Sequence, residues 1–308
     1  MTKVNRLFLT ALFGLFILFT WALLQSDGRS AGHAFVYDAL LKNSIATPPG
    51  DAPLVIITLD DISLRWMEQK WPWHRGIYAQ LLKKLYAYGP KVIALDLIFS
   101  EKGGAEEDRA LNAALTNPPV PVVLAQNFSF DDSVENIDGQ RVSFSRESLE
   151  NPIFPGDYGF INLPQEHDGA IRNFLAYQLY NGVRYRSFPL AIAESALGKT
   201  LLVSQKKPIA FQGPPGTFRR VSFFEVFQNP MDSSLFKDKI VLLGPTFAAT
   251  NDFHLTPYSS VTGQKTSGIE IFAHAIQTLL EDISITKAPV WVYFLLLLFF
   301  TLGFFWSF

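Results

Sequence analysis

The chain has 308 residues, of which 48% are hydrophobic, with 26 basic and 28 acidic side chains and a formal net charge of -2. This balanced charge leaves no electrostatic footprint for nucleic acid, so we expect no nucleic-acid partner. The sequence contains no Cys, which excludes thiolate catalysis, zinc-thiolate sites and disulfide bonds.

Two uncharged apolar runs lie near the ends, at residues 7–24 and 290–308. Each is long enough, at about 1.5 Å per residue, to cross the hydrocarbon core of a bilayer. Lys3 and Arg6 precede the first run, which predicts a cytoplasmic amino terminus. We therefore expect a cytoplasmic start and a transmembrane helix over 1–26, an extracytoplasmic domain over 27–287 and a second transmembrane helix over 288–308.

Other interpretations of these runs are open. The first run has the basic start of a cleaved secretory signal, although its apolar stretch is longer than a usual signal core. The second run also fits a buried core helix. As it stops where the sequence stops, still apolar, we expect the chain to be the front part of a longer protein.

The segment between the runs alternates strands with helices. Continuous apolar strands are predicted at 54–59, 92–97 and 120–124, with helices at 75–88 and 108–115. Strands without a polar face are normally buried on both sides of a parallel sheet. This series predicts βαβαβ units with right-handed crossovers.

The later part combines a hairpin with further α/β elements. Residues 171–188 form two predicted strands joined by Asn181-Gly182, the favoured dipeptide of a two-residue turn. A helix at 189–197, a strand at 239–243 and a helix at 269–281 follow, whereas the polar residues 131–140 are predicted to be a loop. We therefore predict an α/β fold with a mainly parallel, Rossmann-like sheet flanked by helices, an antiparallel hairpin insertion and transmembrane helices at both ends.

Acidic residues stand at the ends of the predicted strands. Asp60 and Asp61 close the first strand, Asp96 ends the second, and Asp252 follows the last. The carboxyl ends of parallel strands form the edge of a sheet where ligands bind, so these carboxylates predict a site. The alternative is that each caps a helix or turn, and Asp61 is a natural N-cap.

Two acid-histidine pairs add further candidates. Glu270 and His274 lie one helical turn apart, and Asp252 and His254 share one face of an extended segment. These side chains suit a divalent metal, but the spacing of a known metal motif is missing, so we expect no metal and no other cofactor. Residues 213–217 resemble a phosphate loop only superficially, because the required Gly-Lys-Ser/Thr continuation is absent.

The pentapeptide Trp71-Pro72-Trp73-His74-Arg75 is the least ordinary stretch of the sequence. Two indoles and a guanidinium could form a wall that stacks on a ligand or holds an anion. The alternative is a rigid corner whose indoles pack onto the first strand.

Six stretches together resemble the type-two CHASE domain, an extracellular sensory module associated with cyclases and histidine kinases. The resemblance covers residues 27–282. It is carried by LVIITLDDISL at 54–64, WPWHRGIYAQLL at 71–82, KVIALDLIFSE at 91–101, HDGAIRNF at 167–174, KIVLLGPTFAATNDFHLTP at 239–257 and GIEIFAHAIQTLL at 268–280. The positions that match recurrent family residues include Asp60, Trp71, Pro72, Arg75, Asp96, Asp168, Gly169, Arg172, Gly244, Asp252, Pro257, Gly268 and His274.

This resemblance implies the sensory region of a bacterial transmembrane receptor, in the inner membrane with its main domain in the periplasm. It implies a cytoplasmic output domain in the same protein, with a nucleotide cyclase favoured over a diguanylate cyclase or a kinase, and we expect a homodimer. The signal would be an unknown small molecule or envelope component, and the chain itself would not be an enzyme. The residues that we expect to bind it are Asp60, Trp71, Trp73, Arg75, Asp96, Asp168, Arg172, Asp252, His254, Glu270 and His274.

Two rival functions remain open on the sequence. A periplasmic hydrolase could use Asp252 or Asp96 with His254 or His274 as acid and base, although no nucleophile motif is present. A structural envelope protein could bind a partner through the Asn181-Gly182 hairpin. For a sensor, the connector at 282–289 matters most, because its poor helix formers and Pro289 predict an interrupted helix there.

Overall fold

The structure is a computed structural model that describes residues 52–67, 70–137 and 140–283, together with Gly14 and Asp38. Its strands are β1 (Leu54–Leu59), β2 (Val92–Ile98), β3 (Val122–Ile137), β4 (Gln140–Glu150), β5 (Asp157–Phe160), β6 (Asn173–Leu175), β7 (Tyr177–Tyr180), β8 (Val183–Arg186), β9 (Lys206–Pro208), β10 (Arg219–Ser222), β11 (Ile240–Pro245), β12 (Phe253–His254) and β13 (Thr266–Ser267). The helices are α1 (Asp61–Met67), α2 (Arg75–Ala87), α3 (Ala105–Leu115), α4 (Phe188–Leu197), α5 (Phe223–Gln228), α6 (Ser259–Thr262) and α7 (Gly268–Leu280), with short 3-10 turns at Ser233–Leu235 and Ala248–Thr250.

Seven strands form the central sheet, in the order β10-β1-β11-β2-β3-β4, with β5 also paired to β3. The strands from β10 to β3, and β5 as well, run parallel to their neighbours. All six residues of β1 are buried, which agrees with its continuous apolar sequence. The chain therefore has a mixed α/β fold with a mainly parallel sheet and an antiparallel edge.

Helices cover both faces of this sheet. Val55, Ile57 and Leu59 of β1 point into one apolar cluster, which includes buried residues of α2, α3 and α5. Leu54 and Ile56 point to the opposite face, where α4 and α7 pack. This alternation follows from the two-residue period of a strand. The core is therefore split into two apolar layers by the sheet.

The predicted transmembrane helices require a correction. In the portion of the chain that the structure describes, no helix combines the length and the apolar character needed to cross a membrane. The fold prediction that placed transmembrane helices at both ends is therefore not supported and is corrected to a mixed α/β fold. The two apolar runs at 7–24 and 290–308 lie outside the described residues, apart from Gly14.

The segment predicted to be a polar loop at 131–140 is also different. β3 continues to Ile137 and pairs antiparallel with β4, from Asn127 opposite Glu150 to Ile137 opposite Gln140. Backbone pairing along this ribbon needs no apolar face, so the polar composition did not reveal it. At the other predicted turn, Asn181 and Gly182 join β7 and β8 with φ angles of 50° and 77°, as a two-residue turn of this type requires.

Helix α7 extends from the carboxyl edge of the sheet to its amino edge. At its start, a Cβ on Gly244 of β11 would lie 2.9 Å from Cγ1 of Ile269, so only Gly allows this close approach. The helix has 13 residues and packs on β11 and β1. Its length of about 20 Å equals that of a six-residue strand, so its last turn reaches the amino edge of the sheet.

Candidate functional site

A cleft of about 860 Å³ opens at the carboxyl edge of the sheet. Three segments form it: the turn before α2, the end of β2 with the residues after it, and the loop after β11. We call it the Asp96 cleft. Its lining includes Trp71, Trp73, His74, Arg75, Tyr78, Asp96, Phe99, Glu101, Glu107, Glu150, Phe247, Ala249, Thr250, Asp252 and Phe272. The edge predicted for a ligand therefore carries a cavity of ligand size.

Asp96 is a largely buried residue whose carboxyl group lines the cleft and has no hydrogen-bond partner among the described residues. The residue is only 7% exposed, and no described residue donates a hydrogen bond to its side chain. Burial raises the pKa of Asp96 to about 8, and the charge of Asp252 adds to this effect. An unpartnered buried carboxyl group is costly in a native structure, and such groups concentrate at functional sites.

Asp252 is held at the amino end of α7. Its backbone carbonyl accepts a 3.0 Å hydrogen bond from the Gly268 amide, and a Cβ on Gly268 would lie 2.4 Å from its carboxylate. His254 Nε2 lies 2.8 Å from the same carboxylate. The Gln165 amide lies 3.4 Å from His254 Nδ1, so the neutral tautomer with its proton on Nε2 satisfies both contacts. Any shift of Asp252 therefore acts directly on the first turn of α7.

Aromatic side chains form one wall of the cleft. The Trp71 ring lies 5.4 Å from that of Trp73 and 5.3 Å from that of Phe247, both in edge-to-face geometry. Trp73 is buried against Phe223, with 5.0 Å between the rings. Trp73 thus serves as the packing corner, whereas Trp71 is half-buried and lines the open cavity.

Arg75 does not offer a free cation to the cleft. Its guanidinium donates to the Asp108 carboxylate and to the Glu101 carbonyl. It also lies 5.8 Å from the centre of the Phe99 ring and 5.3 Å from that of Phe154. The hydrogen bond with Arg75 lowers the pKa of Asp108. The anion-holding role predicted for this residue is therefore opposed by its existing contacts.

The structure places Asp60 at a strand end but outside the cleft lining. Its carboxylate accepts a 2.8 Å hydrogen bond from the Ser63 amide and a 3.1 Å bond from the Ser222 hydroxyl. Asp60 is thus the N-cap of α1, a role predicted for Asp61, and it ties β1 to β10.

Asp168 and Arg172 belong to a separate charge cluster. The Arg172 guanidinium binds three carboxylates, with contacts of 2.8 Å to Asp38, 3.0 Å to Glu166 and 2.8 Å to Asp168. The hydrogen bond with Arg172 is the main cause that lowers the pKa of Asp168. Since Arg172 is largely buried and fully paired, this cluster fits a structural clamp between Asp38 and the domain.

Glu270 and His274 face away from the cleft lining, towards the loop at 213–217. Glu270 is fully buried and accepts hydrogen bonds from the amides of Gly216 (2.7 Å) and Thr217 (3.0 Å) and from Arg220. His274 Nδ1 accepts a 3.1 Å bond from the Gln212 amide. Burial lowers the pKa of His274 to about 3, with a further contribution from Arg220. Both side chains anchor the Pro/Gly turn to α7.

The sequence interpretation missed several lining residues, above all Phe99, Phe247 and Glu150. Phe99 follows β2 directly, so its position at the carboxyl edge was an available signal. Phe247 and Glu150 enter from a loop and from β4, and no local pattern identifies them. Within the described ranges, no group of three or more His, Asp or Glu side chains could hold a metal ion.

Comparison with known proteins gives one match. The family model of the CHASE2 domain matches residues 9–307, nearly the whole chain. Searches of the curated proteins and of the solved structures found no match. The match agrees with the resemblance of the six sequence stretches. The chain belongs to the CHASE2 family, the extracellular sensory domains of signalling receptors.

Proposed function

We propose that the Asp96 cleft is the ligand site through which this sensory domain controls a bacterial signalling receptor. The observation that carries the proposal is the buried carboxyl group of Asp96, which faces a cavity and has no partner in the described structure. The cavity lies outside the carboxyl ends of parallel strands, where α/β domains generally bind ligands.

The route for the signal runs from the cleft through α7. Asp252 lines the cleft and contacts the first residue of α7, and the helix then runs along β11 and β1. A ligand that binds differently in two positions of Asp252 would shift α7. The size of this effect is limited to the difference in affinity between the two states.

The receptor in this proposal is a homodimer in the inner membrane. Its sensory domain lies in the periplasm, and its output domain belongs to the same protein. An adenylate or guanylate cyclase is the favoured output, and a diguanylate cyclase or a kinase is the alternative. The sensory role outside the cytoplasm is supported by the family to which the chain belongs. The homodimer and the class of the output domain belong to the proposal.

A covalent block of the cleft tests this function, because the chain has no natural Cys to react. Ala249 is exposed and lines the cleft, so Ala249→Cys fused to an adenylate cyclase reporter is treated with a benzyl methanethiosulfonate. We expect cyclic AMP production to change after labelling and to return after reduction.

The matched control is Val183→Cys, since Val183 is 52% exposed at the β7-β8 hairpin, away from the cleft lining. Labelling there should leave the output unchanged. An unchanged output after complete labelling of Ala249→Cys would refute the proposal, and an effect at Val183→Cys alone would favour partner binding through the hairpin.

A further inference from the structure

We infer that the Asp96 cleft binds an organic cation, an ammonium group attached to an aromatic or other apolar body. This inference deepens the proposed function and rests on it, because it names the ligand class of the same site. Three features of the cleft carry it: the charge of its lining, the state of its cations and the nature of its walls.

The charged lining is mainly acidic. Asp96, Glu101, Glu107, Glu150 and Asp252 face the cleft from β2, the residues after it, α3, β4 and the β11 loop. A cation bound beside Asp96 would also lie near the charge of Asp252, and Asp96 would gain the partner that it lacks. An anion would be repelled by those of the same groups that are ionised.

Of the two basic groups of the lining, Arg75 is held by hydrogen bonds and His74 lies beside an acidic side chain. Arg75 binds Asp108 and the Glu101 carbonyl, and His74 Nδ1 lies 3.6 Å from Glu107. Tyr78 is uncharged at neutral pH, because burial raises its pKa. Arg75, the permanently charged cation of the described lining, is therefore not free to receive an anionic ligand.

The walls favour an organic cation over a metal ion. The cleft lining includes the aromatic side chains of Trp71, Phe99, Phe247 and Phe272. Aromatic rings attract cations at their faces. A hard metal ion needs six to eight oxygen ligands for Ca²⁺ or a near-octahedral set for Mg²⁺. In the part of the chain with described side chains, not even three such ligands converge. A cavity of about 860 Å³ instead suits a molecule of drug size.

Isothermal titration of the full chain with three probes of one shape tests the inference. The probes are 2-phenylethylammonium, the neutral 2-phenylethanol and the anionic 3-phenylpropanoate. We expect the ammonium to bind at least about tenfold more tightly than the other two, which corresponds to a free-energy difference of about 1.4 kcal/mol. Equal binding of the alcohol, stronger binding of the carboxylate or no binding of the ammonium would overturn the inference.

Proton release identifies the group that receives the cation. Asp96 is mostly protonated at pH 7 in the free protein, since its pKa is raised to about 8, and an ammonium partner favours the carboxylate. Binding should therefore release close to one proton, measured as a dependence of the binding enthalpy on the ionisation enthalpy of the buffer. Binding with no proton release would contradict Asp96 as the partner.

Two variants complete the design. Asp96→Asn should abolish the preference for the ammonium, whereas the exposed Asp61→Asn should retain it. If Asp96→Asn does not fold, the number of protons that the natural chain releases on binding still shows whether Asp96 receives the ammonium. If the ammonium binds but neither it nor the adduct at Ala249→Cys changes the output of the cyclase fusion, that result would refute the proposed function but would support the inferred ligand class. If the adduct at Ala249→Cys changes the output but the ammonium does not bind, the proposed function is supported and the inferred ligand class is refuted.

Discussion

The carboxyl groups of Asp96 and Asp252 line the same cleft, and the charge on Asp252 contributes to the raised pKa of Asp96. One group is buried in β2, while the other lies against the first turn of α7. Protonation or ligand binding at Asp96 is therefore coupled electrostatically to a residue that contacts the helix.

The first prediction concerns the stability of the free protein as a function of pH. The pKa of Asp96 is about 8 in the folded state and about 3.9 in the unfolded chain, so the folded state binds an extra proton between these values. Its contribution to stability is complete below pH 4 and is lost as the pH rises to 8, by at most about 1.4 kcal/mol per pH unit.

Urea unfolding of the natural chain and of Asp96→Asn at several pH values measures the contribution of Asp96 to the free energy of unfolding. We expect the difference in unfolding free energy to move in favour of Asp96→Asn as the pH rises from 5 to 8. Parallel pH profiles of the two proteins would show that Asp96 titrates normally in the folded state.

The second prediction concerns Glu270, which we consider structural. Glu270→Gln removes the charge that accepts from two backbone amides and Arg220, so it should destabilise the domain by about 2–4 kcal/mol. The control is Glu225→Gln, an exposed position on α5 that should change stability by less than about 0.5 kcal/mol. Ammonium binding by the folded Glu270→Gln protein should persist, since its side chain does not line the cleft.

The third prediction tests the contact that seats α7 on the sheet. Gly244→Ala should destabilise by about 1–3 kcal/mol, because its Cβ would lie 2.9 Å from Cγ1 of Ile269. Ile269→Ala removes that atom, so the double variant should lose less unfolding free energy than the sum of the losses in the two single variants. Strict additivity in this double-mutant cycle would mean that the close approach is absent.

The sequence located the cleft better than it located the individual side chains. Asp96 and Asp252 were expected at one edge because the ends of parallel strands meet there, and the structure brings both to the cavity. Helical periodicity placed Glu270 and His274 on one face, but it does not tell which neighbour that face meets. The Ser222 hydroxyl that also engages Asp60 comes from β10, 162 residues away in the sequence, so only the tertiary fold reveals this contact.

The fourth prediction concerns the connector after α7. The helix ends in a closed motif: Asp282 has φ 49°, its amide bonds to the Leu279 carbonyl, and the Ile283 amide bonds to the Thr278 carbonyl at 3.1 Å. Inserting one residue between Ser284 and Lys287 should therefore change the output of a cyclase fusion only modestly. A continuous helix would turn by about 100° per inserted residue, so output that oscillates along an insertion series would contradict this interpretation.

We expect occupation of the Asp96 cleft to change the dynamics at the carboxyl end of α7. Hydrogen exchange of the full chain measures this directly, with Ala249→Cys labelled by the benzyl reagent and Val183→Cys as the labelled control. We predict altered exchange at the Asp282 and Ile283 amides, which close the end of α7, upon labelling at Ala249→Cys but not at Val183→Cys. Changes confined to the cleft, with these two amides unaffected, would show that α7 does not transmit the occupation of the cleft.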